Sequence, residues 1–202
     1  LPFIILVIYS INLIGIHTPF FRYGSYLLGM DYKKNNRTEY SYERIKLNCS
    51  SKNRSQSMTN ILQLLENWKA KQGEVKPKLI IINTSGGGSR SAYWTYLVME
   101  NCDQQMEGEF SKKTHLITGA SGGMIGAAFY REIKYLKSIN QIPKSKSYRD
   151  LIAMDVLNKL SFTTSTSDLL LRYQTTNANG QKYTRERGVA FEEQLHQNTN
   201  NY

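Results

Sequence analysis

The chain has 202 residues, and its 26 basic and 16 acidic side chains give it a net charge of +10. This length suffices for a domain with a substantial core, and the charge favours an anionic partner: nucleic acid, an acidic lipid headgroup or a membrane face. Only two cysteines occur, which argues against a disulfide scaffold, and neither zinc-finger spacing nor an arginine-rich helix is present. We therefore expect no nucleic acid among its partners.

Residues 1–30 predict a membrane-associated segment. The first 16 residues are mostly Leu, Ile, Val and Phe, and no Lys, Arg, Asp or Glu precedes Arg22. Because about 20 apolar residues cross a bilayer, this stretch predicts part of a transmembrane helix. A signal peptide is the alternative, but its basic flank and its small-residue cleavage site are not visible. An aromatic cluster typical of a membrane interface follows: Phe20, Phe21, Tyr23 and Tyr26.

Residues 31–77 predict a basic linker followed by a helix. The cations of the linker are Lys33, Lys34, Arg37, Arg44 and Lys46. By the positive-inside tendency, they place this side of the membrane in the cytoplasm. Met58–Lys71 then has helical periodicity. Gly73 and Pro77, residue types that interrupt regular structure, follow it.

Strand and helix alternate from residue 78 onward, and residues 78–202 are expected to form the main domain. The first four predicted elements are a strand over Leu79–Ile82, a helix over Ser89–Met106, a strand over His115–Thr118 and a helix over Gly122–Ser138. Short loops between them indicate an α/β fold with a parallel sheet. Further along, Tyr148–Lys159 and Gly188–His196 predict helices, and Phe162–Asp168 predicts a loop.

The pattern Gly119-Ala120-Ser121-Gly122-Gly123 places a serine at the turn between the second strand and the second helix. Such a turn exposes the serine and forces a close backbone approach, which glycine permits because it has no Cβ. The first N–H groups of the helix and the positive end of its dipole lie beside it. The pattern therefore predicts Ser121 as a nucleophile; the alternative is a glycine-rich turn that only packs closely.

Gly86, Gly87 and Gly88 lie between the first strand and the first helix. Consecutive glycines allow successive N–H groups to converge on one anion. The run lacks the Gly-Lys-Ser/Thr of a P-loop, and Ser91 stands where a dinucleotide fingerprint needs glycine. We therefore interpret the run as a source of oxyanion-binding N–H groups.

Together, the Gly-Gly-Gly-x-Arg loop and the Gly-x-Ser-x-Gly turn resemble the patatin-like phospholipases, of the membrane-anchored, bacterial type. The two motifs are 35 positions apart, from Gly86 to Ser121, and the resemblance covers about residues 78–138. It implies the α/β fold of that family, a three-layer parallel sheet flanked by helices, only partly contained in this chain and preceded by the transmembrane segment.

The resemblance also implies roles for individual residues. Ser121 would be the nucleophile of a Ser–Asp dyad, on an elbow built by Gly119, Gly122 and Gly123. The oxyanion hole would be formed by Gly86, Gly87 and Gly88. Arg90 would support that loop, and no metal or organic cofactor is implied.

The chain departs from the family pattern in three ways. Ser85 and Ser91 stand where the family commonly has Asp and Gly, and the Asp-Gly turn that carries the dyad aspartate is absent. Asp150, Asp155 and Asp168 follow Ser121, but their surroundings are typical of solvated or capping carboxylates. We expect the catalytic aspartate to lie beyond this sequence, and this fragment alone to be inactive.

The expected function is a membrane-associated serine acyl hydrolase of phospholipids or other acyl esters, with its hydrolase domain on the cytoplasmic side. Two alternatives stay open. One is a catalytically silent, membrane-bound interaction module with the same fold. The other is a Ser-His-Asp α/β-hydrolase, for which only His196 has a suitable place in chain order.

Overall fold

The structure is a computed structural model that describes residues 2–17, 23–24, 30, 39–141, 147–168, 174–178 and 180–199. The chain divides into two compact units, one made of Leu1–Met30 and Gln141–Tyr202 and the other of Asp31–Asn140. Several residues of the predicted interfacial segment and basic linker lie outside the described residues: Phe20, Phe21, Tyr26, Lys33, Lys34 and Arg37. The predicted division at residues 30 and 77 stays a prediction.

The unit Asp31–Asn140 begins with two helices where the sequence predicts a linker and one helix. These helices are α2 (Tyr42–Asn48) and α3 (Ser51–Gln72), numbered after α1 (Pro2–His17) of the other unit. Serine side chains cap both N-termini, because Ser41 Oγ accepts the Arg44 N–H at 3.3 Å and Ser50 Oγ accepts the Asn53 N–H at 3.4 Å. The predicted linker is therefore largely helical from residue 42 onward.

Strand and helix then alternate as the sequence predicts, except that an additional short helix, which was not predicted, precedes the second strand. The elements are β1 (Ile80–Thr84), α4 (Gly88–Gln105), α5 (Glu109–Lys113), β2 (Thr114–Gly119) and α6 (Ser121–Ser138). The two strands pair in parallel, with Ile81 opposite Leu116 and Thr84 opposite Gly119. The carboxyl ends of both strands therefore lie side by side, and each leads into a helix.

Helices α4 and α6 form the core of this unit. Tyr96 is 1% exposed, and its ring lies 5.5 Å from that of Phe129 and 6.3 Å from that of Tyr130. Gly126 permits the close approach of the helices, because a Cβ at this position would overlap the carbonyl group of Ala92. Core packing thus fixes the two helices that begin at the strand ends.

The other unit combines α1 with elements from the second half of the chain. These are α7 (Tyr148–Ala153), α8 (Leu157–Thr163), a π-helical turn (Thr164–Asp168), β3 (Thr175–Ala178), β4 (Gln181–Thr184) and α9 (Arg187–Asn198). Strands β3 and β4 form an antiparallel hairpin. The Thr184 hydroxyl donates to the Tyr23 carbonyl at 2.9 Å, and the Thr184 N–H donates to the Gly24 carbonyl at 3.0 Å.

The predicted loop over Phe162–Asp168 is wrong, because this segment is helical. Its threonine hydroxyls bond back to the preceding turn: Thr164 to the Leu160 carbonyl at 2.8 Å and Thr166 to the Phe162 carbonyl at 2.7 Å. These bonds satisfy the polar side chains within the helix, so that a Ser/Thr-rich composition does not end it.

The predicted three-layer parallel sheet is also wrong. In the described ranges the strands form two separate two-stranded sheets, β1 with β2 and β3 with β4. After Ser138 the described residues provide no further apolar strand to extend β1 and β2, since β3 and β4 are polar and pair with each other. The fold is mixed, mostly helical, with one parallel β-α-β-α unit.

The predicted N-terminal transmembrane segment is likewise corrected. Helix α1 spans Pro2–His17 and has 16 residues. Among the residues that the structure describes, no helix combines the length and the apolar character that a membrane crossing requires.

Candidate active site

Ser121 lies at the turn between β2 and α6, and its backbone is in the left-handed region with φ +50°. A non-glycine residue rarely adopts this conformation, which costs on the order of 1–3 kcal/mol and persists only where the surroundings enforce it. Only Ala120 separates the strand from the serine, and its N–H donates to the Thr84 carbonyl at 3.2 Å. The side chain of Ser121 is exposed at the end of the sheet.

The glycines around Ser121 are required by close contacts with backbone or with Thr84. A Cβ at Gly119 would overlap the Thr84 side chain, one at Gly122 would overlap the Gly88 carbonyl, and one at Gly123 would overlap the Ser85 carbonyl. The residues on the β1 side of these contacts are the last residue of β1, the first residue of the loop after it and the first residue of α4. The two glycine-rich segments that the sequence singled out are therefore in direct contact.

The glycine loop lies against the serine. A Cβ built on Gly86 would lie 3.3 Å from Ser121 Cβ and 4.0 Å from Ser121 Oγ. Gly87 has φ +150° and Gly88 has φ +63°, conformations that favour glycine. Gly88 is the first residue of α4, where N–H groups have no acceptor within the helix. Backbone donors and an exposed hydroxyl thus lie side by side.

A hydrogen bond of Ser91 holds this loop at its base. The Ser91 hydroxyl donates to the Ser85 carbonyl at 2.7 Å, which ties the first turn of α4 to the residue that follows β1. In the sequence, Ser85 and Ser91 stand out only because they depart from the family pattern. No spacing rule predicts the hydrogen bond between the Ser91 hydroxyl and the Ser85 carbonyl. Within the described residues the Arg90 side chain is exposed and makes no hydrogen bond or ion pair, so its supporting role stays a prediction.

No general base accompanies Ser121 in the part of the chain that the structure describes. Neither a carboxylate nor an imidazole is hydrogen-bonded to its hydroxyl there. Asp155 caps α8, since its carboxylate accepts the N–H groups of Leu157 and Asn158 at 3.0 Å each. Asp168 faces Arg187 with its Oδ2 3.7 Å from the guanidinium. These observations confirm a capping role for Asp155 and leave the base unassigned.

The histidines have other surroundings. His115 is in β2, near its amino end, and its ring meets that of Trp68 edge-on at 5.9 Å. Ser121 follows the carboxyl end of the same strand. At about 3.3 Å per residue of extended chain, its Cα lies roughly 20 Å from that of His115. His17 ends α1 and His196 lies in the last turn of α9.

A scan against protein-family models found no matching family, and searches of curated proteins and of solved structures found no match. The resemblance to the patatin-like phospholipases therefore rests on the two motifs themselves. Chemically, the geometry supplies an exposed hydroxyl on a strained turn and backbone N–H groups beside it. This is the arrangement that nucleophilic attack on an ester carbonyl needs, apart from the base.

Proposed function

We propose that this chain carries the nucleophile and the oxyanion hole of a serine acyl hydrolase that acts on phospholipids or other acyl esters. The observation that carries the proposal is the contact between Gly86 and Ser121, which brings the glycine loop against a serine held at positive φ. Either motif alone also fits a closely packed turn. A turn that serves only for packing does not require the second motif beside it, whereas an active site requires both motifs in contact.

In the proposed reaction, Ser121 Oγ attacks the ester carbonyl carbon while a base takes its proton. The charge that develops on the carbonyl oxygen is held by N–H groups of Gly86, Gly87 and Gly88. Collapse of the tetrahedral intermediate breaks the ester C–O bond, and the leaving alcohol takes the proton back from the base. Water then attacks the acyl-enzyme by the same route and releases the fatty acid.

The base in this proposal is an aspartate outside these 202 residues, as in the Ser–Asp dyad of the family that the motifs resemble. A substrate at a membrane surface is consistent with the net charge of +10, which attracts the protein to anionic lipid. The membrane-associated, cytoplasmic location stays a prediction.

The test is hydrolysis of a chromogenic short-chain ester and of phosphatidylcholine vesicles by the full-length protein that contains this chain. Ser121→Ala is expected to lower turnover at least about a thousandfold, because removal of a catalytic nucleophile leaves only binding and oxyanion stabilisation. Ser55→Ala, an exposed serine on α3, is the matched control and is expected to keep wild-type turnover. Equal turnover by the two variants would contradict the assignment of Ser121.

A second candidate is a catalytically silent interaction module with this local geometry. It is favoured by one observation: within the described residues, no base is hydrogen-bonded to Ser121. The same assay separates the two candidates, because a silent module predicts no hydrolysis by the full-length wild-type protein at any pH.

A further inference from the structure

The outer face of α4 differs between the two halves of the helix. Ala92 and Met99 lie on the inner face and are buried. On the opposite face, the first half of the helix carries large apolar side chains that remain exposed: Tyr93, Trp94 and Val98. The second half of that face carries exposed amides, Asn101 and Gln105, whose side chains are hydrogen-bonded to each other at 3.2 Å. Only the first half is therefore apolar on its outer side.

The apolar half of α4 is the half beside the candidate active site. Gly88 begins the helix and closely approaches Gly122, the residue after Ser121. Trp94 lies six residues further along, which at about 1.5 Å per residue is roughly 9 Å along the helix axis. Trp94 is 68% exposed, whereas the outer side of a surface helix usually carries polar residues. An exposed apolar surface of this kind marks an interaction site more often than a scattered single residue does.

The charge of this face suits an anionic partner. Arg90 lies one turn before Trp94, is exposed, and makes no hydrogen bond or ion pair with any residue that the structure describes. The segment from Gly88 to Met99 contains no Asp or Glu, and the chain has a net charge of +10. A guanidinium binds phosphate oxygens, and tryptophan and tyrosine rings are enriched at the interface between membrane and water. The combination therefore fits a phospholipid surface.

We propose that the α4 docking face, formed by Tyr93, Trp94 and Val98 with Arg90 beside them, binds the surface of an anionic phospholipid bilayer. Side chains of this kind settle at the boundary between headgroups and acyl chains, the layer that contains the ester bonds of a phospholipid. Docking by this face brings the Ser121 end of α4 to the depth of those esters. The docking itself does not need catalysis, whereas delivery of the ester to Ser121 rests on the proposed function.

The first arm of the test follows the fluorescence of Trp94 in the full-length protein. Vesicles of phosphatidylcholine and phosphatidylglycerol, brominated on their acyl chains, are expected to quench it. Trp94→Phe, which keeps an apolar ring in the docking face, is expected to remove that part of the quenching. Trp68, the other tryptophan of these 202 residues, has a buried indole nitrogen and is not expected to contribute. Identical quenching in wild type and Trp94→Phe would overturn the proposal.

The second arm measures sedimentation of the full-length protein with the same vesicles without bromine. Trp94→Ala is expected to weaken binding at least about tenfold, because it removes the largest apolar side chain of the face. Phe162→Ala is the matched control, since Phe162 is an aromatic residue that is 66% exposed, and is expected to bind as wild type. Equal binding by the two variants would overturn the proposal. Destabilisation of Trp94→Ala in urea as large as that of Phe129→Ala would also do so, since a protein segment would then cover this face.

The third arm separates docking from catalysis. For each variant, hydrolysis of phosphatidylglycerol vesicles is divided by hydrolysis of a soluble short-chain ester. This ratio is expected to fall at least about tenfold in Trp94→Ala and to keep its wild-type value in Phe162→Ala. An unchanged ratio in Trp94→Ala would refute the delivery of the ester by this face. If the wild-type protein hydrolyses neither substrate, the proposed function fails, and the first two arms still decide whether the face docks on lipid.

Discussion

Gly122 is the residue at which the two halves of the candidate site come closest. A Cβ there would overlap the carbonyl of Gly88, which is backbone and cannot rotate away. Gly122→Ala is therefore expected to lower the free energy of unfolding by about 3 kcal/mol, by forcing the glycine loop away from Ser121. Equilibrium urea unfolding measures this change.

Gly188 in α9 is the control for that substitution. A Cβ at Gly188 would have its nearest neighbour at 3.9 Å, and the residue does not have a positive φ. Gly188→Ala is thus expected to be neutral or to stabilise by up to about 1 kcal/mol. Similar losses of stability in the two variants would contradict the close approach assigned to Gly122.

The Ser91 hydroxyl ties the first turn of α4 to the residue that follows β1. Ser91→Ala removes the 2.7 Å hydrogen bond to the Ser85 carbonyl and is expected to cost about 1 kcal/mol of stability. Because that bond fixes the glycine loop, kcat for ester hydrolysis is expected to fall by a larger factor than KM rises. A variant with unchanged kcat would show that the bond does not position the loop.

At the scale of elements, the sequence predicts β1, α4, β2 and α6 to within two residues at most of their observed ends. Short apolar runs followed by glycines are strong local signals, since they mark buried strands and their turns. The hairpin β3–β4 could not be predicted this way, because its strands are TTNA and QKYT and lack apolar alternation. It is held instead by cross-strand pairing and by bonds from Thr184 to Tyr23 and Gly24, which lie far away in sequence.

The packing of α4 on α6 can be tested at Phe129. Phe129 is 6% exposed and packs against Tyr96, so Phe129→Ala is expected to lower stability by about 3–4 kcal/mol. Phe162 is 66% exposed, and Phe162→Ala is expected to change stability by less than about 0.5 kcal/mol. Urea unfolding of both variants checks this difference; equal effects would mean that Phe129 is not part of the core.

The carboxyl group of Asp103 makes the stability of the folded protein depend on pH. Burial tends to raise its pKa, but hydrogen bonds from Lys134 and Ser111 outweigh this effect and hold the pKa below its ordinary value of 3.8. A carboxyl whose pKa is lower in the folded state stabilises the fold above its unfolded pKa. This contribution is lost as the pH falls below about 4.

Asp103→Asn is expected to destabilise the protein by about 2 kcal/mol at pH 7, because Lys134 loses its partner. The variant is also expected to lose less stability than wild type between pH 4 and pH 2, roughly the range in which the carboxyl titrates. Glu66→Gln, which removes an exposed carboxylate of α3, serves as the control and is expected to have the stability of wild type at pH 7. Parallel pH profiles for wild type and Asp103→Asn would contradict the role of this pair.

The overall architecture was the part that the sequence predicted worst. Local motifs located Ser121 and the glycine loop, but the three-layer sheet came from a family resemblance, not from apolar runs after residue 138. A cleft beside β2 and α6 could not be predicted either, because its lining residues from α5, β2 and α6 come together only in the folded chain. Ile81 and Leu116, directly opposite each other in the sheet, remain 59% and 46% exposed.

The proposed role of Ser121 is that of a nucleophile beside an oxyanion hole. Its most direct test is covalent labelling of the full-length protein with a fluorophosphonate, followed by mass spectrometry of the labelled peptide. One adduct is expected, on Ser121, that is absent from Ser121→Ala and present in Ser55→Ala. Equal labelling of wild type and Ser121→Ala, or an adduct on another residue, would contradict it.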